Sequence, residues 1–212
     1  MKREHIEQST VVIPEPYIWF PFTSNATDSE GVIGTLNGSC SGYSNDGAYF
    51  AGSGGLYKTN LNILASNLNT LSVQIKFDNI VPTDVTTILQ IVKSGSVNGL
   101  NMYHAPAWSQ DLNIACYTTG STLLGTLSLT SVPFIADEWY TLTIRQSFSV
   151  PTTELWVNGV KRNAFNTTYS QSFTFNGIYV GKNTSSVRVF KGHIKNLRMW
   201  NVELTDEQIA VL

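Results

Sequence analysis

Alternating apolar and polar residues along most of the chain predict β-strands. In residues 70–77 (TLSVQIKF) every second side chain is apolar from Leu71 to Phe77, and residues 139–144 (WYTLTI) repeat the pattern. A period of two is that of a strand with one face buried and the other exposed to water. The denser apolar run ILQIV at residues 88–92 indicates a strand that is covered on both faces.

Turn signals separate the predicted strands at short intervals. The pair Asn158 and Gly159, between ELWV and VKRN, favours a type I′ hairpin turn because both residues tolerate positive φ. The segments GLNMYH and LNIACYTTG flank residues 105–110, which we interpret as the tip of another hairpin. Many short strands joined by such turns are typical of an all-β sandwich.

The last eight residues, TDEQIAVL, predict a short helix. Thr205 is a candidate N-cap, and Gln208 three residues later completes a capping box. Asp206 and Glu207 lie in the first turn, where the helix dipole favours acidic side chains. The chain therefore ends in a capped helix after its last strand.

The chain is predicted to be one domain preceded by a tail. Residues 1–14 are mostly polar and end in proline, which indicates a tail. Residues 15–212 contain neither an internal repeat nor a Gly/Ser linker. Because a β domain of this length buries a sizeable core, it needs no disulfide framework to fold.

Composition and charge narrow the classes of partner. The chain has 13 Lys and Arg residues against 15 Asp and Glu residues, a net charge of −2, so it lacks the basic surface that nucleic acid demands. It shows neither an apolar run of about 18 residues nor the apolar core of a signal peptide. We therefore expect no nucleic-acid partner and no membrane insertion. We expect a location outside the cell or on a virion, reached either after removal of a signal peptide or by another route, such as cell lysis or assembly into a particle. The oligomeric state stays open.

The sequence order of the segments is more specific than any single motif. The segments are WFPFTSNATDSEGVIGTLNG, GAYFAGSGGLYKT, NTLSVQIKF, EWYTLTI, ELWVNGV, IYVGKN and FKGHIKNLRMWNVELTDEQIAVL, within residues 17–212. This order resembles the concanavalin A-like superfamily, in particular its laminin G-like and pentraxin-like modules. The resemblance implies a jelly-roll sandwich of two antiparallel sheets that is usually non-catalytic and binds glycans or proteins.

Some members of that superfamily hold calcium beside the ligand site. Here Ala51 and Gly55 occupy the often acidic positions of the family in FAGSGGLY, and Lys195 and Asn196 follow Ile194 where the family often has an acidic pair. A hard cation takes several oxygen ligands, usually including carboxylates. The sequence therefore predicts no cofactor, and calcium is not favoured at these positions.

Two cysteines are too few for a disulfide framework or a zinc site. Cys40 and Cys116 leave a single disulfide and two free thiols as alternatives. The sequence has no CxxC pair and no Cys/His cluster.

Glycoside hydrolases occur in the same superfamily, and retaining enzymes need two carboxylates about 5 Å apart. The Glu-x-Asp-x-x-Glu strand of the glucanase branch is absent, and acidic residues such as Glu154 and Asp206 suit strand-end or cap roles.

A catalytic triad is a second kind of active site to consider. His104, Ser109 and Asp111 are close in sequence, but adjacency in a hairpin does not place a base between two partners. We therefore expect no enzymatic activity and no catalytic residue.

The remaining candidate is a ligand site at the predicted hairpin tip. Trp108 lies in APAWSQD, where no strand pattern accounts for a large indole. Exposed aromatic rings stack on sugars while polar side chains bond the hydroxyls; the alternative is that Trp108 folds back as a lid over the sandwich. The candidate ligand-binding residues are Trp108, Tyr103, His104, Gln110 and Asp111, with Tyr43, Asn45 and Tyr57 as a second cluster.

These features favour a non-catalytic carbohydrate-binding or adhesion module that recognises glycans through a surface loop. The alternative is a structural or host-attachment protein of a phage or virus particle, with a cell-surface or virion protein as its partner. The low charge and the Ser/Thr/Asn-rich strands suit that alternative as well. A glycoside hydrolase is the least favoured function.

Overall fold

The computed structural model describes residues 11–78, 85–93, 99–105, 110–117, 123–129, 134–166 and 174–212. The strands in this part of the chain are β1 (Ile18–Phe20), β2 (Asn37–Ser39), β3 (Gly42–Ser44), β4 (Gly47–Ala51), β5 (Gly55–Lys58), β6 (Ile63–Leu64), β7 (Thr70–Phe77), β8 (Thr86–Lys93), β9 (Leu100–Ala105), β10 (Gln110–Tyr117), β11 (Leu123–Leu129), β12 (Trp139–Ser147), β13 (Thr152–Val157), β14 (Val160–Phe165), β15 (Thr174–Val180) and β16 (Lys191–Trp200). A 3₁₀ turn spans Ala65–Asn67, and a single-turn helix, α1, spans Asp206–Ile209.

The strands form two antiparallel sheets, which confirms the predicted jelly-roll sandwich. The first sheet has the order β14-β13-β12-β7-β16-β4-β3, and β1 pairs with β16. The second sheet has the order β11-β10-β9-β8-β15-β5-β2, and β6 pairs with β15. Neighbouring strands within a sheet are often remote in sequence, so residues from distant segments share one face.

The core lies between the two sheets and follows the alternation in the sequence. Leu71, Val73, Ile75 and Phe77 of β7 are all at most 2% exposed. The residues between them point to the outer face, as expected from the period of two. The run Ile88–Val92 in β8 is buried throughout, which confirms the prediction that this strand is covered on both faces.

Local turn and cap signals are also confirmed. Asn158 and Gly159 both have positive φ, 49° and 72°, as a type I′ turn requires. In the capping box, the Gln208 backbone N–H donates to Thr205 Oγ1 (3.3 Å) and the Thr205 backbone N–H donates to Gln208 Oε1 (2.9 Å).

Residues 12–14 and the C-terminal helix α1 pack on the outer face of the first sheet. Ile209 of α1 forms an apolar cluster with Trp156, Trp200 and Leu204. The N-terminal segment is anchored beside this cluster, because Trp200 Nε1 donates to the Pro14 carbonyl (2.8 Å). These two segments therefore cover part of this face. No helix in the described residues has the length and apolar character to cross a membrane.

Candidate functional site

A row of polar and aromatic side chains crosses the outer face of the second sheet. Tyr57 of β5 lies opposite Tyr179 of β15, Tyr179 opposite Gln90 of β8, and Gln90 opposite Asn101 of β9. Directly opposed residues in a sheet project to the same side. Leu56 and Ile178, which precede Tyr57 and Tyr179 in their strands, project instead into the core.

The row widens toward β10. Tyr103 lies two residues after Asn101 on the same side of β9, and Asn113 of β10 lies opposite Tyr103. Tyr103 is half-buried, whereas Asn113 is buried. We call this surface the polar face; it consists of Tyr57, Tyr179, Gln90, Asn101, Tyr103 and Asn113.

Aromatic rings and one cation lie at the β5 end of the polar face. The rings of Tyr57 and Tyr179 are nearly parallel, with centroids 5.9 Å apart and an interplanar angle of 12°. The Lys182 ammonium lies 4.4 Å from the centroid of the Tyr57 ring, a cation–π contact. This end therefore combines an apolar surface with positive charge.

Amide groups occupy the middle of the polar face. Gln90 is only 5% exposed, and its Oε1 accepts a 2.8 Å hydrogen bond from the Thr184 backbone N–H in the loop after β15. The Oδ1 atom of Asn101 is buried and accepts no hydrogen bond. An unsatisfied buried acceptor costs roughly 1–3 kcal/mol.

The polar face joins two sequence candidates with four residues that sequence reasoning missed. Tyr57 and Tyr103 were predicted, and the structure places them on one face. The missed residues are Tyr179, Gln90, Asn101 and Asn113. Alternation in β9, β10 and β15 was a signal that Tyr179, Asn101 and Asn113 point outward, whereas Gln90 lies in the dense apolar run of β8. Which outward residues become neighbours depends on strand order, which the alternation does not specify.

His104 requires a correction, because its side chain lies in the core. It is 0% exposed and lies near the rings of Phe77 (5.0 Å) and Phe134 (6.2 Å). Neither of its ring nitrogens has a hydrogen-bond partner, and burial lowers its pKa to about 4. His104 therefore stabilises the core as a neutral ring and is not presented to a ligand at the surface.

The second predicted cluster divides between the two sheets. Tyr43, 37% exposed, lies in the edge strand β3 of the first sheet, and Asn45 is exposed in the turn that follows. Tyr57 lies on the second sheet, on the polar face. Nearby, Cys40 is a free thiol that donates to the Gly42 carbonyl (3.4 Å).

The predicted hairpin tip is flanked by paired strands. Gln110 lies opposite Ala105 in the antiparallel pair of β9 and β10. Trp108 and the rest of residues 106–109 lie outside the described residues, as do the side chains of Gln110 and Asp111. Their role in binding stays a prediction.

The described carboxylates with clear partners have structural roles. The carboxylate of Asp28 accepts hydrogen bonds from three backbone N–H groups, including that of Trp19 (2.9 Å). Burial alone would raise the pKa of Glu154, but hydrogen bonds from Lys161 and Arg145 lower it, opposite to the raised pKa of a glycosidase acid. In the described part of the chain, no three His, Cys, Asp or Glu side chains are grouped to hold a metal ion.

The open part of the outer face of the first sheet is aromatic and basic. Tyr49, His193, Lys76 and Trp139 lie in one row across β4, β16, β7 and β12. Lys195 covers the indole of Trp139, with its ammonium 3.9 Å from the ring centroid. This ring is therefore less accessible for stacking than its position suggests.

Comparison with known proteins identifies similar folds. A laminin G-type family model, described as the Concanavalin A-like lectin/glucanases superfamily, matches residues 19–210. Domain 4 of a GH43 extracellular arabinanase from Geobacillus stearothermophilus, solved in complex with arabinotriose, is similar with 18% identity and a TM-score of 0.67; 93% of this chain and 97% of that chain are covered. No match was found among curated protein sequences.

Two further solved structures are similar over shorter portions. The botulinum neurotoxin serotype D ligand-binding domain, in complex with N-acetylneuraminic acid, has 14% identity and a TM-score of 0.67. The alignment covers 93% of this chain but only 50% of the toxin domain, so the chain spans about half its length. The native heptameric SAP-like pentraxin from Limulus polyphemus has 16% identity and a TM-score of 0.54, with 73% of each chain covered. At these identities the likeness is one of fold.

Proposed function

Because the chain belongs to the concanavalin A-like lectin/glucanases superfamily, we propose that it is a non-catalytic carbohydrate-binding module whose glycan site is the polar face. The observation that carries this proposal is the row Tyr57–Tyr179–Gln90–Asn101 across neighbouring strands. Similar structures include one in complex with arabinotriose and one in complex with N-acetylneuraminic acid, which supports a carbohydrate ligand.

The chemistry of the row suits a sugar. A sugar ring has apolar C–H surfaces for an aromatic side chain and hydroxyl groups for hydrogen bonds. The Tyr179 ring would contact the C–H surface, while the amide N–H groups of half-buried Asn101 donate to hydroxyl groups. Buried Gln90 would support this site from below through its hydrogen bond from the Thr184 backbone N–H. Because the side chains stand on paired strands, the site is largely preformed, which limits the ordering cost of binding.

The predicted hairpin tip extends this proposal. Ala105 and Gln110, which flank the tip, belong to the same sheet as the polar face. We expect Trp108 to contribute a stacking surface at the end of the site, since aromatic anchors at loop tips often dominate binding energy.

A glycan array with the full chain tests the proposal. We expect binding to one or more glycans and a loss of about tenfold or more in affinity for Tyr179→Ala and for Asn101→Ala, with the melting temperature checked in each case. Trp108→Ala should weaken the same binding if the tip belongs to the site.

Matched substitutions on the first sheet serve as controls. Tyr43→Ala and Asn45→Ala change the same residue types at exposed positions and should leave binding unchanged. If they abolish binding while Tyr179→Ala and Asn101→Ala do not, the glycan site is at the edge of the first sheet. No binding by the folded wild-type chain would contradict a carbohydrate ligand, and release of reducing ends from a bound polysaccharide would show an enzyme.

A further inference from the structure

A groove of about 270 Å³ lies on the outer face of the first sheet, remote from the polar face. It is bounded on one side by the N-terminal segment and on the other by β1 and the end of β16. The lining residues are Ile13, Pro14, Glu15, Pro16, Trp19, Arg198 and Trp200. The volume is near the lower end of the range of roughly 300–1,000 Å³ for ligand pockets, so the groove fits a group the size of one sugar.

Paired strands and hydrogen bonds hold both sides of the groove in place. Trp19 of β1 lies directly opposite Arg198 of β16 in an antiparallel pair. The N-terminal wall is fixed at two points, because Trp200 Nε1 donates to the Pro14 carbonyl (2.8 Å) and Gln208 Nε2 donates to the Val12 carbonyl (2.7 Å). The groove is therefore a feature of the folded domain.

Arg198 is a half-buried cation without a hydrogen-bond acceptor in the described residues. Its guanidinium carbon lies 5.0 Å from the centroid of the Trp19 ring, and burial lowers its pKa, an effect that the charge of Glu15 partly opposes. Arg145 in the same sheet contrasts with it, since Arg145 pairs with Glu154 and with Asp206.

The geometry leaves the guanidinium N–H groups of Arg198 as unused donors at this site. Stacking on an indole uses the face of a guanidinium, whereas its N–H donors project from the edge of the plane. The indole Nε1 of Trp19 has no acceptor among the described residues, but it is buried and so is not itself open to a ligand. A planar acceptor with two oxygens matches the edge donors of Arg198 better than a neutral hydroxyl does.

We propose that this groove binds the carboxylate of an acidic sugar, with Arg198 as its bidentate partner. The carboxylate follows from the unpaired guanidinium, while the assignment to a sugar rests on the proposed function. Exposed Glu15 at the rim opposes an anionic ligand and so limits its affinity.

Titration of the ¹⁵N-labelled full chain with glucuronate, followed by NMR, tests the proposal directly. We expect glucuronate to shift the Arg198 Nε–Hε and Trp19 indole N–H resonances, whereas neutral glucose does not. Absence of these shifts at saturating glucuronate would overturn the proposal, even if the polar face binds glycans. Conversely, the shifts can occur if the array shows no binding at the polar face, so the two proposals fail separately.

Two substitutions with opposite expected effects on affinity test the proposal further. Arg198→Gln should weaken glucuronate binding about tenfold or more, and Glu15→Gln should strengthen it by removing a repulsive charge. Arg162→Gln, at an exposed position in β14, is the charge-matched control and should leave affinity unchanged. If Arg162→Gln and Arg198→Gln lose the same affinity for glucuronate, the effect arises from net charge and not from a site at Arg198. If N-acetylglutamate binds as tightly as glucuronate, the assignment to a sugar is wrong.

Discussion

Partly exposed aromatic residues of this protein lie beside cationic side chains. Lys195 lies 3.9 Å from the Trp139 ring centroid, and Lys182 lies 4.4 Å from that of Tyr57. Although the chain carries a net charge of −2, its aromatic surfaces are thus locally positive. A ligand that combines a ring with an acidic group matches such a surface better than a neutral one, because stacking and charge act at the same place.

His104 couples the stability of the core to pH. Its folded-state pKa of about 4 is below the ordinary value of 6.5, so the unfolded chain binds more protons between these values. Stability is therefore complete above about pH 6.5 and is lost as pH falls toward 4, by roughly 3 kcal/mol in total. Urea unfolding measured at pH 7 and pH 4.5 should show most of this loss.

A variant isolates the contribution of this residue from that of the carboxylates. His104→Phe keeps a ring among Phe77 and Phe134 but cannot bind a proton, so its stability should change much less over the same pH interval. His193→Gln, at a half-exposed position on the outer face, should keep the wild-type dependence. If His104→Phe and the wild type lose equal stability, the acid sensitivity arises elsewhere.

At the scale of elements, the predictable features are those set by neighbours in sequence. The alternation in residues 70–77 predicted β7 and its buried face, and Thr205 with Gln208 predicted the helix cap, because these signals act over a few residues. Only two of the six residues of the polar face were predicted: Tyr57 was a candidate, but Tyr179 became its neighbour through the pairing of β5 with β15. Pairing of remote strands is decided by packing of the whole sandwich, which a local pattern does not encode.

The capping box of α1 has a measurable effect on stability. Thr205→Ala removes the oxygen that accepts the Gln208 backbone N–H, so we expect a loss of about 1 kcal/mol in the free energy of unfolding. Thr59→Ala, an exposed position outside the strands, is the matched control and should change stability little. Equal effects in urea denaturation would show that the cap does not stabilise the helix in this domain.

At the scale of the molecule, the two outer faces of the sandwich differ in what covers them. Part of the first face is covered by residues 12–16 and by α1, and residues 13–16 also build one wall of the Arg198 groove. The polar face on the second sheet makes no contact with α1 among the described hydrogen bonds and core clusters. Loosening α1 and residues 12–16 should therefore affect the groove and leave the polar face intact.

The substitution Ile209→Ala tests whether the two outer faces bind their ligands independently. It is 1% exposed and packs on Trp156 and Trp200, so Ile209→Ala should cost about 2–4 kcal/mol in stability and shift tryptophan emission to longer wavelength. Glucuronate binding should weaken because the anchor of the N-terminal wall loosens, while glycan binding by the polar face stays at the wild-type level below the unfolding transition. Val211→Ala, at a 56% exposed position, should change none of these measurements. Equal loss of both binding activities in folded Ile209→Ala would show that the two faces are not independent, contrary to the placement of the sites on opposite sides of one core.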